Sequence, residues 1–469
     1  MVVCTPSEHR GRPAGQQGQD SNHQDDTAGH DSHSTLAGAV YRAAMTTEQR
    51  RIRSRLMRAK GGEEQRATNL ELFFDLVYVF AVTQLSHLLG SHLGLSGAAQ
   101  TALLLLVVWW AWVYTTWMTN WFDPDSPLVR MLLIAVMLAS LAMAIAIPTA
   151  FGDRALVFAL GYTCLQVMRN SFVVWATEPG SQLHEAFVRI SAWSVAVGVL
   201  WVGGALADDG ARAAIWIVAL LVDYAGPAAG YWVPRLGRTP AQEWEIEGSH
   251  FAERFQLFII IALGESVVVT GSTAAAEHID LAKAVAIATS FLTAAALWWL
   301  YFDYVATIAQ RRLATSDSSG ALARDAYTYV HAVMVAGIIV AAVGAGILID
   351  DPTGTPTAAQ VATLAGGPAL YLLGHILFRL RMAGSLSGKR ISAAAAICVV
   401  GLAGTVLPAL VTGLAVLAVL VVLIAAETVA GVRRRRRQEL GPLEALEAEL
   451  AGGRRDEPLS AADAGSSGI

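Results

Sequence analysis

Apolar residues in this chain fall in runs of about twenty, repeated from about residue 70 to about residue 432. A helix needs roughly 20 apolar residues to cross the hydrocarbon core of a bilayer. That single feature decides the class. A chain of 469 residues would otherwise suggest about three soluble domains. With 54% hydrophobic and only 15% charged residues, it falls well below the roughly one quarter charged of soluble proteins. The same composition excludes a wholly disordered chain and, with a net charge of -5, a strongly basic nucleic-acid binder. Three cysteines, Cys4, Cys164 and Cys398, cannot build a disulfide framework, and the last two read as small core residues of apolar runs.

The expected fold is an all-α integral membrane protein with about twelve transmembrane helices. The candidate spans are 70–90, 98–121, 129–147, 154–177, 187–206, 212–233, 250–271, 281–305, 326–349, 357–379, 391–409 and 411–432. Strands are excluded because the runs are continuous rather than alternating, and an open sheet edge has no partner in lipid. Residues 1–66 form a polar region, expected to be disordered, that ends in a basic run from Arg50 to Lys60. There is no apolar stretch of a secretory signal behind Met1, and Met45 offers an alternative start. His23, His30, Asp31 and His33 lie in the polar region without an ordered ligand spacing. The membrane domain covers 67–432. Beyond it, 433–469 is a basic and then disordered tail, whose run Arg433–Arg437 suits anionic lipid headgroups better than nucleic acid.

Charge placement sets the topology. With twelve spans and the N-terminus inside, the inner loops hold the 50–66 cluster, Arg130, Arg189, Arg235, Arg238, Arg311, Arg312, Arg324, Arg379, Arg381, Lys389, Arg390 and the Arg433–Arg437 run. The outer loops hold only Arg154, Arg212 and Lys283 near helix ends. This asymmetry places both termini in the cytoplasm of a multi-pass cell-membrane protein.

The chain also echoes itself. Trp109-Trp110-Ala111-Trp112 corresponds to Trp298-Trp299-Leu300-Tyr301, and Ala135-Val136-Met137 to Ala332-Val333-Met334. Ala159-Leu160-Gly161-Tyr162 corresponds to Leu372-Leu373-Gly374-His375, and Glu71-Leu72-Phe73 to Glu253-Arg254-Phe255. Four matches in one order suggest a six-plus-six parallel repeat with halves at about 67–233 and 248–432. Shared apolar composition is the competing explanation. Parallel repeats are common in secondary transporters, whose sites lie between the halves.

Charged groups at membrane depth cost about 2.5–3.5 kcal/mol on insertion scales, so each asks for a partner or water. Glu71 and Asp75 are four apart and share a helical face, which Ser86 continues. His250, Arg254 and Glu265 share another, with Glu253 pointing away. An Asp75–Arg254 ion pair locking the halves and a proton or cation relay through Glu265 both fit. Apolar surroundings alter how a carboxyl exchanges protons. Gln166, Arg169, Asn170, Asp223, Asp303, His331, His375, Arg379 and Glu427 are further polar positions, several close enough to helix ends for snorkelling. The aromatic group from Trp109 to Trp121 reads as an interfacial belt at its ends. His250 and Glu253 have no second ligand pair, so neither metal nor other cofactor is expected. No phosphate-binding loop, dinucleotide fingerprint or nucleophile elbow occurs.

Two stretches carry a resemblance. They are Asn69-Leu70-Glu71-Leu72-Phe73-Phe74-Asp75-Leu76-Val77-Tyr78-Val79-Phe80-Ala81 and His250-Phe251-Ala252-Glu253-Arg254-Phe255-Gln256-Leu257-Phe258-Ile259-Ile260-Ile261-Ala262-Leu263-Gly264-Glu265. Together they resemble the hallmark segments of the bacterial low temperature requirement A (LtrA) family of polytopic membrane proteins, over about 66–432. The resemblance implies that Glu71, Asp75, His250, Glu253, Arg254 and Glu265 are the motif's polar positions. It implies a membrane protein and no particular substrate, since the family name records a growth phenotype. The leading expectation is a transporter-like or channel-like protein for a small solute or ion. A membrane-embedded enzyme on a lipid-soluble substrate, with Glu265 and His250 as acid and base, and a structural protein are the alternatives.

The charge asymmetry makes a direct prediction. A cytoplasm-active reporter fused after Ile469 is active, and a periplasm-active reporter inserted at Asp351 is active. The opposite compartment at either position overturns the topology.

Overall fold

A computed structural model describes residues 53–58, 66–239, 246–276, 278–303, 305–316 and 319–437. The proposed disorder of 1–66 and of the tail, the His23–His33 tract and Cys4 therefore lie outside the described residues, apart from 53–58, 66 and the start of the tail. The chain divides into two compact units, Met1–Ser54 and Arg55–Ile469. Of the first unit only Arg53 and Ser54 are described, in helical conformation. All that follows concerns the second.

Among the described residues the regular structure is helical, apart from two isolated bridges, Met57–Phe122 and Val233–Gly237. The helices are α1 (Asn69–Ser91), α2 (Leu95–Trp121), α3 (Pro127–Ala146), α4 (Ala155–Ala176), α5 (Gln182–Leu206), α6 (Asp209–Ala225) and α7 (Gly248–Ala276). Then come α8 (Leu281–Phe302), α9 (Val305–Thr315), α10 (Ser319–Asp350), α11 (Ala358–Leu364), α12 (Gly366–Ala383), α13 (Gly388–Gly404) and α14 (Ala409–Arg436). Local chemistry sets their starts. Thr68 and Glu71 form a reciprocal capping box on α1, as Thr357 and Gln360 do on α11. Ser181, Asp208 and Asp280 cap α5, α6 and α8 through side-chain oxygens that accept from otherwise orphaned N–H groups.

A helix lies at every expected span. Among the described residues, however, only eight helices are long and apolar enough to cross a membrane, or nine if one bent pair counts as a single span. The shortfall has local causes. Gly226-Pro227 follows α6, leaving it 17 residues long. That is about 25 Å of helix, where the hydrocarbon core is about 30 Å thick. α13 is likewise 17 residues long. α4 reaches 22 residues but carries Gln166, Arg169 and Asn170, which lower its hydropathy. The expected span 357–379 is the bent pair, α11 and α12 turning by 43° at Gly366-Gly367-Pro368. Proline removes a helical donor and glycine leaves the backbone free to turn, so the bend falls there.

Outward-facing side chains are apolar: Phe73, Leu76, Leu138 and Val199 are all more than half exposed. In water this would be a broad unpaired patch, whereas lipid tails solvate it. Cys164 and Cys398 are also exposed, which corrects their reading as core residues. An apolar run inside a bilayer is equally content against lipid or against protein, so composition alone cannot separate the two.

Packing follows the same order in both stretches of six expected spans. α1 packs on α2 and α3, α3 on α4, α4 on α5, α5 on α6, and α2 on α6. Correspondingly α7 packs on α8 and α10, α10 on α12, α12 on α13, α13 on α14, and α8 on α14. Between the stretches, α1 and α2 meet α7 and α10.

Glycines let α10 and α12 touch backbone to backbone. A Cβ on Gly337 would lie 2.5 Å from the Tyr371 nitrogen, and one on Gly367 would run into the Ala341 nitrogen. Gly264 has nothing within 4 Å of such a Cβ. Gly337→Ala should therefore lower the thermal unfolding temperature in detergent by an overpacking cost of about 1–3 kcal/mol. Gly264→Ala should leave it unchanged or raise it through helix propensity. Equal stability of the two variants would contradict the close crossing.

Candidate functional site

The first turn of α1 brings Glu71 to the inside of the bundle, fully buried. Its Oε2 accepts from the Thr68 backbone at 2.9 Å and from the Thr68 hydroxyl at 3.0 Å, which closes the capping box. Arg58 donates to the same oxygen at 3.3 Å. Its Oε1 faces α7, where His250 Nε2 lies at 3.0 Å and Arg254 Nη1 at 3.5 Å. One carboxylate thus caps its own helix and pairs with another.

One turn further on, Asp75 is also fully buried. Its Oδ1 accepts from Arg254 Nη2 at 2.7 Å and from Trp112 Nε1 at 2.8 Å. Arg254 bridges the two carboxylates. With Arg58 on Glu71, two arginines face the two carboxylates, a pairing that matters because taking any of these ions out of water costs several kcal/mol. The guanidinium lies 5.9 Å from the Phe74 ring centroid. It lies 6.0 Å from the Trp112 ring centroid. Both separations fall within cation–π range. Asn120 completes the network from the end of α2. Its Nδ2 lies 3.2 Å from His250 Nδ1 and donates to the Glu247 carbonyl at 3.0 Å, while its Oδ1 accepts from the Glu247 N–H at 2.8 Å. With both ring nitrogens occupied, His250 is fixed in orientation.

The structure therefore gathers Glu71, Asp75, His250 and Arg254 into one buried cluster where α1, α2 and α7 meet. Glu253, on the other side of α7, accepts from the Ala67 N–H at 3.0 Å and takes no part in the cluster. Glu265 is fully buried. It lies eleven residues beyond Arg254, about 16 Å along the axis of α7 at the usual helical rise. There its Oε2 accepts from the Thr83 hydroxyl at 2.5 Å, and its Oε1 has no hydrogen-bond partner among the described residues. Because the contacts advance from Glu71 to Thr83 as they advance from His250 to Glu265, α1 and α7 run parallel. Asp75 and the Thr83 partner of Glu265 are about 12 Å apart along α1. Asp75 and Glu265 are thus separate stations along one interface.

Other expected polar positions form separate centres. Asp223 accepts from Tyr162 at 2.7 Å, and Gln166 donates to that hydroxyl at 2.9 Å. Arg169 bonds Gln166 and Asn170 and lies 5.1 Å over the Tyr114 ring. His331 shares a hydrogen bond with the Tyr301 hydroxyl at 2.9 Å. His375 contacts Arg390 at 2.8 Å, and Arg390 grips Glu427 at 2.9 and 3.0 Å. Pairing, not snorkelling, explains His375 and Glu427. Four of the five tryptophans of α2 are interior, and Trp121 at its end is partly exposed. Trp109, Trp110, Trp112 and Trp117 are buried, and Trp109 donates to the Thr328 carbonyl at 2.6 Å. Thr328 lies in a π-helical stretch of α10, Ala323–Val330, whose wider turns redirect backbone carbonyls.

Sequence reasoning did not single out Trp112 as the partner of Asp75, nor Asn120 and Thr83. Thr68-x-x-Glu71 was open to it as a capping signature. The others had no local signal, since each partner comes from a different helix.

Fold and site define a polytopic helical membrane protein whose two motif segments are joined by buried ion pairs. The chain belongs to the bacterial low temperature requirement A protein (LtrA) family, whose model matches residues 66–425. Among curated proteins, the uncharacterized protein RA0937 of Rhizobium meliloti (strain 1021) is 36% identical over 319 residues, which is 68% of this chain and 78% of the relative. No solved structure matches.

Arg254→Met should leave Asp75 buried without its cation, with Glu71 still paired to Arg58, and cost about 3–5 kcal/mol, the range for breaking a buried pair from one side. Combining it with Asp75→Asn should recover much of that loss, because the amide oxygen can still accept from Trp112. Thermal unfolding of the two variants and of Asp75→Asn alone checks the coupling. Strict additivity would mean that the pair is not coupled.

Proposed function

We propose that this LtrA protein is a secondary-transporter-like or channel-like protein, not an enzyme, and moves a small solute or ion across the cell membrane. One observation carries the reading: Glu265, a carboxylate buried at the α1–α7 interface, has one oxygen bonded to Thr83 and the other without a partner among the described residues. Ionisable groups at membrane depth mark ion and proton pathways.

In this reading the chain spans the membrane twelve times, with α4, α6 and α13 as polar or short members of the bundle. An even count keeps both termini in the cytoplasm, where Arg433–Arg437 meets anionic lipid. The halves 67–233 and 248–432 are a parallel repeat. The matching order of helix packing supports this, and so does the parallel run of α1 beside α7. Sites between such halves are the rule in transporters. The Glu71–Asp75–His250–Arg254 cluster, joined by ion pairs across α1 and α7, acts as the lock that closes the interface at its inner end. Glu265 is the exchangeable group beyond it.

Glu265→Gln retains the shape and can still accept from Thr83. In proteoliposomes carrying an imposed pH gradient, wild-type protein should give a pH-dependent flux followed by an internal pH dye. Glu265→Gln should abolish it with unfolding temperature unchanged. Unfolding of the variant in detergent would assign Glu265 a structural role, and an unaltered flux would remove it from the pathway.

A further inference from the structure

Away from the ion cluster, a cavity of about 30 Å³ lies between α7, α8, α10 and α14. A water needs roughly 10–15 Å³ of such space, so the cavity admits a water and nothing much larger. Three hydroxyl side chains line it, Ser266 from α7 and Ser290 and Thr293 from α8. The rest of its described lining is apolar, and none of it is charged. Ser290 lies near the middle of α8, far from water at either membrane surface.

Helical hydroxyls ordinarily satisfy themselves on the carbonyl one turn back. Thr289 does so on Val285 at 2.7 Å, Thr293 on Thr289 at 2.8 Å and Thr270 on Ser266 at 2.7 Å. Ser266 and Ser290 do not. They are 4% and 5% exposed, and neither Oγ has a hydrogen-bond partner among the described residues. Leaving a buried hydroxyl unsatisfied is costly, and hydrocarbon offers it no partner. Thr293 commits its hydrogen to Thr289, while its oxygen keeps a lone pair that can accept. The cavity thus gathers two hydroxyls that lack an acceptor among the described residues and a third that can accept.

We propose that this cavity is a binding site for a single water molecule, a built-in member of the bundle. Ser266 and Ser290 donate to the water oxygen, and the water donates one hydrogen to Thr293 Oγ1. Three such bonds are the usual complement of a buried water. The water joins α7 to α8 through serines that make no direct bond to each other. An ion would find no opposite charge in the wall to offset its desolvation, so the site takes water in preference to an ion. It does not depend on transport by Glu265, and its test reads hydration alone.

The test is radiolytic footprinting of the full-length protein in lipid nanodiscs. Short X-ray pulses turn bound water into hydroxyl radicals, which oxidise the side chains beside it, and the oxidised peptides are mapped by mass spectrometry. Leu297, Leu348 and Val416, buried in the cavity wall, should oxidise roughly tenfold faster than the buried Leu104 and Val108 of α2. In the double variant Ser266→Ala, Ser290→Ala their rates should fall to that of Leu104. Wild-type rates in the cavity wall no higher than that of Leu104 would overturn the proposal, and so would rates unchanged in the double variant. If that variant does not fold, Thr293→Val, which removes the third oxygen and keeps the shape, makes the same comparison.

Discussion

The guanidinium of Arg254 holds together what no apolar contact in this bundle could specify. Between helices in lipid there is no hydrophobic drive, since lipid tails are as apolar as leucine. Association has to come from close packing and from polar pairs. Arg254 reaches from α7 to both carboxylates of α1, and Asp75 receives Trp112 of α2 on the same oxygen. Glu71 in turn caps α1 through Thr68 and meets His250, which Asn120 orients from the far end of α2. Three helices are thereby fixed in rotation and in depth at once. A shift of α7 by one residue would take the arginine about 1.5 Å along the axis and out of bonding geometry with at least one carboxylate.

That cluster also explains why the motif polar residues divide into two kinds. Glu71, Asp75, His250 and Arg254 pair with one another, although Asp75 Oδ2 and Arg254 Nε keep no hydrogen-bond partner among the described residues, and charges paired and buried in this way are suited to specifying one arrangement, a role attested for buried polar groups elsewhere. Glu265 is different. It meets one hydroxyl and no cation among the described residues, and it too keeps an oxygen without a hydrogen-bond partner there. The two kinds occur on the same pair of helices, about three turns apart along α7, at the interface between the two motif segments.

The backbone is irregular where the bundle is least uniform. α10 opens into a π-helical stretch at Ala323–Val330, and its Thr328 carbonyl receives Trp109. α11 and α12 bend at Gly366-Gly367-Pro368. At α10 the carbonyl displaced from regular helical bonding meets a buried side chain rather than lipid, as the absence of water in the hydrocarbon core requires.

The sequence by itself determined the class and much of the layout. Runs of about twenty apolar residues are the length of a membrane crossing, and a helix lies at each expected position because helix formation in lipid satisfies every backbone group locally. The four-residue spacing placed Glu71 beside Asp75 and His250 beside Arg254, and the eleven-residue step placed Glu265 on the same face, because helical periodicity is fixed by the chain itself. Tertiary structure alone decided which face of each helix meets lipid. Cys164 and Cys398 turn outward and four of the five tryptophans of α2 turn inward, because apolar residues in a bilayer have no solvent from which to hide. It alone separated Glu265 from Asp75, joining the first to Thr83 and the second to Trp112 and Arg254. Those partners lie on helices far apart in sequence, and only packing brings them within hydrogen-bonding distance.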